Sequence, residues 1–243
     1  MVIKTKGIVL KAIKYGESSL IVDVFTLQLG LRKYIISGVR KKNAKFGAAL
    51  FQHASLIDLV AYEKKGRNMH RIKEVQAAYL YNTMPYDIKK SAVGLFITEV
   101  VQKVLQGEEE HPELFDFLYD TYRFLDTTQT SIANIPITFL LNLTEFLGIQ
   151  PDNNFGNDAA VFNMMEGRFQ SEPDLEHPHF IRLPHSQLLS QMMRYDVFNS
   201  HNLSISASQR KTMLDYLLRF YQLHIDRFPI INSHAILEEV LRS

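Results

Sequence analysis

The first eighty residues carry runs of β-branched and aromatic residues with no helical period. Glycine-containing breaks at Gly30 and Gly66 interrupt these runs, as is typical of turns between strands. Strands are therefore predicted at residues 3–12, 19–27, 31–39, 50–62 and 69–81. Four or five short strands in so short a segment predict a small β-barrel or sandwich.

Apolar residues recur at helical spacing once the chain has passed Pro85. Their positions predict helical stripes at residues 93–104, 114–125, 188–193 and 213–224. A further helix is predicted from Asn134, as its N-cap, to Leu147, with Gly148 as its C-terminal cap. A last short helix is expected after Ser233. Strands followed by five or six helices predict an α+β fold.

Residues 152–183 break the helical pattern, because they are rich in Asn, Asp, Gly and Pro. We interpret them as a coil-rich insertion in an otherwise all-helical region, with a hairpin turn at residues 165–168. The predicted organisation is a β domain at residues 1–80 and a helical domain at residues 81–243.

The distribution of charge separates the same two regions. The whole chain has a formal net charge of +1. Residues 1–73 carry 15 Lys and Arg against 4 Asp and Glu, a net charge of +11. The remaining residues carry 12 Lys and Arg against 22 Asp and Glu, a net charge of −10. So strong an asymmetry indicates that the basic segment binds a polyanion.

Cations and aromatic residues alternate in the most basic part of the chain. Single-stranded nucleic acid is bound by such mixtures, because cations follow the phosphates and rings stack on unpaired bases. The alternative is a solvated loop that only keeps the protein soluble, and either aromatic residue could instead belong to the core. The candidate nucleic-acid-binding residues are Arg32, Lys33, Tyr34, Arg40, Lys41, Lys42, Lys45, Phe46, Lys64, Lys65, Arg67 and Arg71.

Sequence motifs give no support for an enzyme. The chain has no cysteine, no phosphate-binding loop for nucleotides, no dinucleotide-binding glycine motif and no metalloprotease or nucleophile-elbow motif. No catalytic residue and no cofactor are predicted. Imidazoles at His177, His179 and His185 lie near Glu172, Asp174 and Glu176 and could bind a metal. Prolines interrupt this segment, so we interpret it as an exposed polar loop and predict no metal site.

Hydropathy indicates a cytoplasmic protein. Lys4 and Lys6 interrupt the apolar residues near the N-terminus, so no secretory signal is predicted. No apolar run is long enough to span a membrane.

Several segments resemble the bacterial recombination mediator family RecO. The segments KGIVLKAIKYGESSLIVDVFT, LGLRKYIISGVRKK and KKGRNMHRIKE resemble its N-terminal OB-fold domain. The later segments LFDFL and FLLNLTEFLGIQPD resemble its helical domain. The resemblance implies a five-stranded OB-fold barrel at residues 1–80 and a nucleoid-associated protein of DNA repair and recombination without enzymatic activity. Relatives bind single- and double-stranded DNA, anneal complementary strands, and help to load RecA onto strands coated by single-stranded-DNA-binding protein.

The same resemblance implies partners and one departure. The expected partners are RecR and the acidic C-terminal tail of the single-stranded-DNA-binding protein, with RecF as a further candidate. Cations near the strongest helical stripe are candidates for that tail, namely Arg210, Lys211, Arg219 and Arg227. Many relatives carry a four-cysteine zinc module where this chain has residues 152–167 without cysteine, so no zinc is carried over. An RNA-directed OB-fold protein or an assembly factor remains the alternative.

Overall fold

A computed structural model describes residues 1–39, 46–63, 66–105, 107, 109–173 and 177–241. The chain forms two compact units, Met1–Thr127 and Thr128–Ser243, which are described separately. Predicted site residues Arg40, Lys41, Lys42, Lys45, Lys64 and Lys65 lie outside the described residues, as do Asp174 and Glu176.

Five strands close into a barrel in the first unit, which confirms the predicted five-stranded barrel. In chain order they are β1 (Val2–Tyr15), β2 (Ser19–Thr26), β3 (Gly30–Ile36), β4 (Leu56–Tyr62) and β5 (His70–Ala77). Around the barrel the order is β1-β2-β3-β5-β4. The prediction that a strand starts at residue 50 was wrong, because Ala48–Phe51 is a 3-10 helix and buries Phe51.

Strand β1 closes one side of the barrel because it is long enough to pair twice. Its first half pairs with β4 and its second half with β2, both antiparallel. The other side closes between β3 and β5, which run parallel and are joined by two residue pairs, Tyr34 with His70 and Ile35 with Arg71. This short junction is called the seam below.

Close packing fills the barrel interior. Val22, Val24, Tyr34 and Ile57 are fully buried there. Gly7 shows how tight the packing is, since a Cβ atom built on it would lie 2.5 Å from Cγ1 of Val24. A side chain at position 7 would overlap that of Val24, so glycine is required there.

Two helices, α1 (Ile88–Val104) and α2 (Pro112–Thr127), belong to the same compact unit as the barrel. The buried Asp126 carboxylate near the end of α2 accepts hydrogen bonds from the backbone N–H groups of Asn82, Thr83 and Met84 at 2.8–3.1 Å. Lys90 Nζ also donates to the Asp126 carbonyl, at 2.8 Å. The segment that leaves the barrel is thereby fixed to α2. Strand gives way to helix near residue 80, as expected for the predicted domain boundary. The compact unit nevertheless continues to Thr127, so the boundary stays a prediction.

The second unit is helical apart from one small sheet. Its helices are α3 (Ile135–Phe146), α4 (His185–Met192), α5 (Ala207–His224) and α6 (Ser233–Val240). The segment predicted as coil contains three short strands, β6 (Val161–Asn163), β7 (Arg168–Gln170) and β8 (Phe180–Ile181), in the order β7-β6-β8. The predicted hairpin turn joins β6 to β7, which are antiparallel. Their shortness explains why alternation did not reveal them.

The ends of α3 agree with those predicted from the sequence. Gly148 follows the helix with a positive φ of 67°, as a C-terminal cap requires. Asn134 precedes the helix but its side chain does not cap it. The Asn134 amide instead donates to the carbonyls of Ser200 and Leu203 at 3.0 and 2.8 Å. Within the described residues, none of the helices has the length and apolar character needed to cross a bilayer.

Candidate nucleic-acid interface

An open groove of about 810 Å³ lies on the barrel at the seam and along the connection from β4 to β5. Tyr62, Arg71 and Ile35 are cross-strand neighbours, since Arg71 pairs with Tyr62 on one side and with Ile35 on the other. Cross-strand partners present their side chains on the same face of a sheet. The groove is lined by Ile35, Tyr62, Gly66, Arg67, Asn68, Met69, His70 and Arg71. We call it the barrel groove.

The barrel groove combines cationic and apolar surface. Arg67 and Arg71 are exposed, and neither makes an ion pair with any residue that the structure describes. Tyr62 is 45% exposed and Met69 is 42% exposed, unusual values for large side chains beside a barrel core. Both arginines can therefore reach an external anion while an aromatic ring lies open beside them.

A single carboxylate organises the polar groups behind the groove. Glu63 accepts a hydrogen bond from the Tyr34 hydroxyl at 3.3 Å and lies 3.1 Å from Nδ1 of the buried His70. Arg32 Nε lies 3.8 Å from the same carboxylate. Burial, followed by the charge of Glu63 and this hydrogen bond, raises the pKa of Tyr34 far above its usual value. Because Tyr34 and His70 form one of the two seam pairs, Glu63 links the strands on both sides of the seam.

The structure favours the core alternative for Tyr34 over the predicted stacking role. Its ring is fully buried and forms part of the barrel core. Phe46 is partly buried and packs against the same core, which favours the core alternative for that residue too. Strand alternation could have identified Tyr62 instead, because it directly follows the buried Ala61 on β4.

The remaining predicted cations of the barrel differ in their surroundings. Lys33 is 51% exposed and lies 4.0 Å from Asp23 on the adjacent strand. Arg32 is only 13% exposed, and its NH1 donates to the Leu31 carbonyl at 3.1 Å. The structure thus places Lys33, Arg67 and Arg71 at the surface and holds Arg32 against the barrel.

A smaller, largely apolar pocket of about 270 Å³ lies between α3, α5 and α6 of the second unit. Its apolar lining includes Pro136, Ile137, Leu214, Leu237 and Leu241. We call it the helical pocket.

Two of the four cations predicted for partner binding line the helical pocket, namely Arg210 and Lys211. Arg210 donates from NH1 to Asn134 Oδ1 at 3.0 Å, and burial lowers the pKa of its guanidinium. Lys211 forms an ion pair with Glu238. Arg219 and Arg227 are exposed and do not line the pocket.

The histidines weighed as metal ligands are engaged in ring contacts. His177 stacks on Phe180 with ring centroids 4.6 Å apart, and its Nδ1 accepts a hydrogen bond from the His179 N–H at 3.2 Å. His185 packs edge-on against Tyr216. Within the described part of the chain these histidines do not form a cluster of metal-ligand atoms.

A closed five-stranded barrel with this strand order, and with a cationic and aromatic groove beside its β4–β5 connection, defines the class of OB-fold binding proteins. Family models narrow the class: the N-terminal domain of recombination protein O matches residues 1–81, and its C-terminal domain matches residues 85–159. The chain belongs to the RecO family of DNA repair proteins.

Individual relatives belong to the same family and match nearly the whole chain, beyond the residues that the family models cover. The chain is 34% identical over 241 residues to the DNA repair protein RecO of Christiangramia forsetii. It is 31% identical over 240 residues to the protein of the same name from Phocaeicola vulgatus. Each alignment covers 99% of both chains.

Proposed function

We propose that this chain is a non-enzymatic recombination mediator that binds single- and double-stranded DNA and anneals complementary strands. It would also help to load RecA onto strands coated by single-stranded-DNA-binding protein. The observation that carries the proposal is the barrel groove, where two exposed arginines and an exposed tyrosine line one surface of a segment with a net charge of +11.

The groove suits single strands better than a closed duplex. Arg67 and Arg71 would neutralise consecutive phosphates, releasing condensed counterions. Tyr62 would stack on an unpaired base, a contact that tolerates any sequence because every base has a π face. Phosphate contacts by the basic segment would serve double strands too, since those contacts need no unpaired base.

Annealing then follows from electrostatics. Two strands repel one another through their phosphates, and a basic barrel that binds both lowers that repulsion. Base pairing supplies the free energy, so the mechanism requires no nucleotide hydrolysis. This agrees with the absence of a nucleotide-binding loop from the sequence.

The helical pocket supports the proposed contact with an acidic, apolar-ended protein tail. Its lining offers a place for apolar side chains, and Arg210 and Lys211 at its wall would attract carboxylates. Arg219 and Arg227 would have at most a peripheral part, because they do not line the pocket. RecR would act with the protein at another surface, with RecF as a further candidate partner.

Charge reversal in the barrel groove tests the proposal. The variant Arg67→Glu/Arg71→Glu is compared with a matched control, Arg219→Glu/Arg227→Glu, which reverses two exposed arginines of the second unit. Affinity for a fluorescent single strand is measured over a salt series, and annealing is measured on strands coated by single-stranded-DNA-binding protein.

We expect the groove variant to flatten the log–log salt dependence by about 1.4, or about 0.7 for each lost phosphate contact, and to anneal poorly. The control should retain both activities. Equal behaviour of the two variants would exclude the barrel groove as the DNA-binding surface. Tighter binding of structured RNA than of DNA would instead support the RNA-directed alternative.

A further inference from the structure

Helices α5 and α6 bring together three side chains that commonly bind metal ions. Asp215 lies on α5, while His234 and Glu238 are four residues apart on α6 and therefore share one face of that helix. One ligand atom from each residue can be chosen so that all three lie within 4.8 Å of one another. His234 Nε2 lies 3.4 Å from Asp215 Oδ1 and 3.2 Å from Glu238 Oε1.

The two separations from His234 Nε2 match the edges of a metal-centred tetrahedron. Bonds of about 2.0–2.1 Å from zinc to nitrogen or oxygen place neighbouring ligands about 3.3–3.4 Å apart. Hydrogen bonding does not account for the contact, because His234 Nε2 is inaccessible to solvent and makes no hydrogen bond within the described residues. The ring nitrogen and the two carboxylate oxygens that it faces therefore offer three ligand atoms to one shared cation.

The charges of the cluster also favour a cation. Two carboxylates face each other, and the ammonium of Lys211 contacts only Glu238 among the described residues of the cluster. With a neutral imidazole, the four side chains carry a net charge of −1. Asp215 is half exposed, so an ion could enter from solvent and retain a water molecule as its fourth ligand.

We propose that Asp215, His234 and Glu238 form a binding site for a divalent transition metal of the zinc type, which would join α6 to α5. Lys211 competes with the metal for Glu238. Binding would therefore move the ammonium away from that carboxylate, at the wall of the helical pocket that both residues line.

This site differs from the zinc module that the sequence lacks. The absence of cysteine predicted no metal, but imidazole and carboxylate also bind zinc. Without thiolates the ion should exchange readily, and its binding should weaken in acid because the imidazole must be neutral. Asp215 and His234 lie on different helices, so no sequence motif of fixed spacing could reveal them.

Cobalt absorption tests the site in the full chain. Metal-free protein is titrated with Co²⁺ while visible absorption is recorded, and Zn²⁺ is then added. We expect one equivalent of Co²⁺ to give the intense bands of a low-coordinate site, and Zn²⁺ to abolish them.

Four variants assign the signal to these residues. His234→Gln should weaken Co²⁺ binding about 100-fold or more, and Asp215→Asn about 10-fold or more. Lys211→Gln should strengthen binding about two- to fivefold, because it removes a competing exposed ion pair. The control His177→Gln/His179→Gln should bind like the parent. A melting transition of each metal-free variant shows that it is folded. If His234→Gln does not fold, the Co²⁺ affinity of Asp215→Asn decides whether the signal comes from this site.

Absence of a cobalt band in the parent would overturn the proposal. Unchanged binding by His234→Gln and Asp215→Asn would overturn it too, as would loss of binding in the His177→Gln/His179→Gln control. Weaker binding by Lys211→Gln would disprove the competition.

Discussion

The barrel groove and the helical pocket both contain cations, but those cations differ in what they already contact. Arg67 and Arg71 are exposed and have no ion-pair partner within the described residues, whereas Arg210 is held by Asn134 and Lys211 by Glu238. A cation without an internal partner can bind an external anion without losing a contact. A paired cation contributes first to the structure, and a ligand must compete for it. This difference leads us to assign DNA to the groove and a protein tail to the pocket.

The largest effect is expected from the basic segment that the sequence singled out. The variant Arg40→Glu/Lys41→Glu/Lys42→Glu/Lys45→Glu should lose on the order of 10³-fold in affinity for single strands at about 0.1 M salt. Four phosphate contacts at a slope of about 0.7 each account for most of this loss, and charge reversal adds repulsion. A fluorescence titration over a salt series measures the effect.

A matched control reverses four exposed arginines of the second unit, Arg182, Arg194, Arg219 and Arg227. DNA affinity should change little in this control, although the net charge of the chain changes equally. If both quadruple variants weaken binding alike, only the overall charge matters and the contrast between the two units is lost.

Asp126 contrasts with the exposed arginines of the barrel groove, because it is buried and its carboxylate binds groups of the protein itself. Burial alone would raise the pKa of this carboxyl, but hydrogen bonds from the backbone of Asn82, Met84 and Thr83 and from Tyr79 outweigh burial and lower it. Asp126→Asn should reduce the free energy of unfolding at pH 7 by about 2–4 kcal/mol, because the amide cannot accept as many hydrogen bonds. Urea unfolding measures the change.

The direction of the pKa shift of Asp126 predicts how the stability difference between the parent and Asp126→Asn changes with pH. A carboxyl whose folded-state pKa is lowered stabilises the fold fully above its unfolded pKa of about 3.9. That stabilisation is lost as the pH falls through the folded pKa. The difference between parent and Asp126→Asn should therefore shrink below about pH 4. A difference that stays constant into acid would show that the charge of Asp126 contributes nothing.

The smallest expected effect on DNA affinity comes from a comparison of substitutions at two tyrosines of the barrel, Tyr62 and Tyr34. Tyr62→Ala should weaken binding of single strands by about 1–3 kcal/mol, the usual contribution of one stacked base. It should affect double strands less, because their bases are already stacked. Tyr34→Phe keeps the buried ring and loses only the contact with Glu63, so its DNA affinity should match that of the parent. Sensitivity at Tyr34 but not at Tyr62 would reverse our assignment.

Sequence patterns predicted the barrel well because each strand buries its own apolar residues. They failed to orient Tyr34, since β3 carries apolar residues at both Ile35 and Ile36 and alternation therefore leaves its inner face ambiguous. The register in which Tyr34 pairs with His70 and packs inward depends on β5, which is distant in sequence. The charge asymmetry predicted which segment binds a polyanion, but it could not separate Arg67, which is exposed, from Arg32, which contacts Glu63.

The helical pocket of the second unit was harder to predict from the sequence. Arg210 and Lys211 were identified as cations near a strong apolar stripe, and both line the helical pocket. Arg219, more than two helical turns further along α5, does not line it. The pocket wall also requires Pro136 from α3 and Leu241 beyond α6, so its position depends on how distant helices pack. Local periodicity contains no such information.

The seam between β3 and β5 has a consequence for the kinetics of the barrel. Only two parallel residue pairs join these strands, and the chain between Ile36 and His70 must fold back before they can form. Contacts that close so long a stretch of chain form late, and short ladders open at low free energy. Ile35 and Arg71 form one seam pair and also line the barrel groove, so opening the seam would dismantle the groove. A DNA strand bound in the groove would therefore keep the seam closed. Amide hydrogen exchange at residues 34–35 and 70–71 should slow when DNA is added.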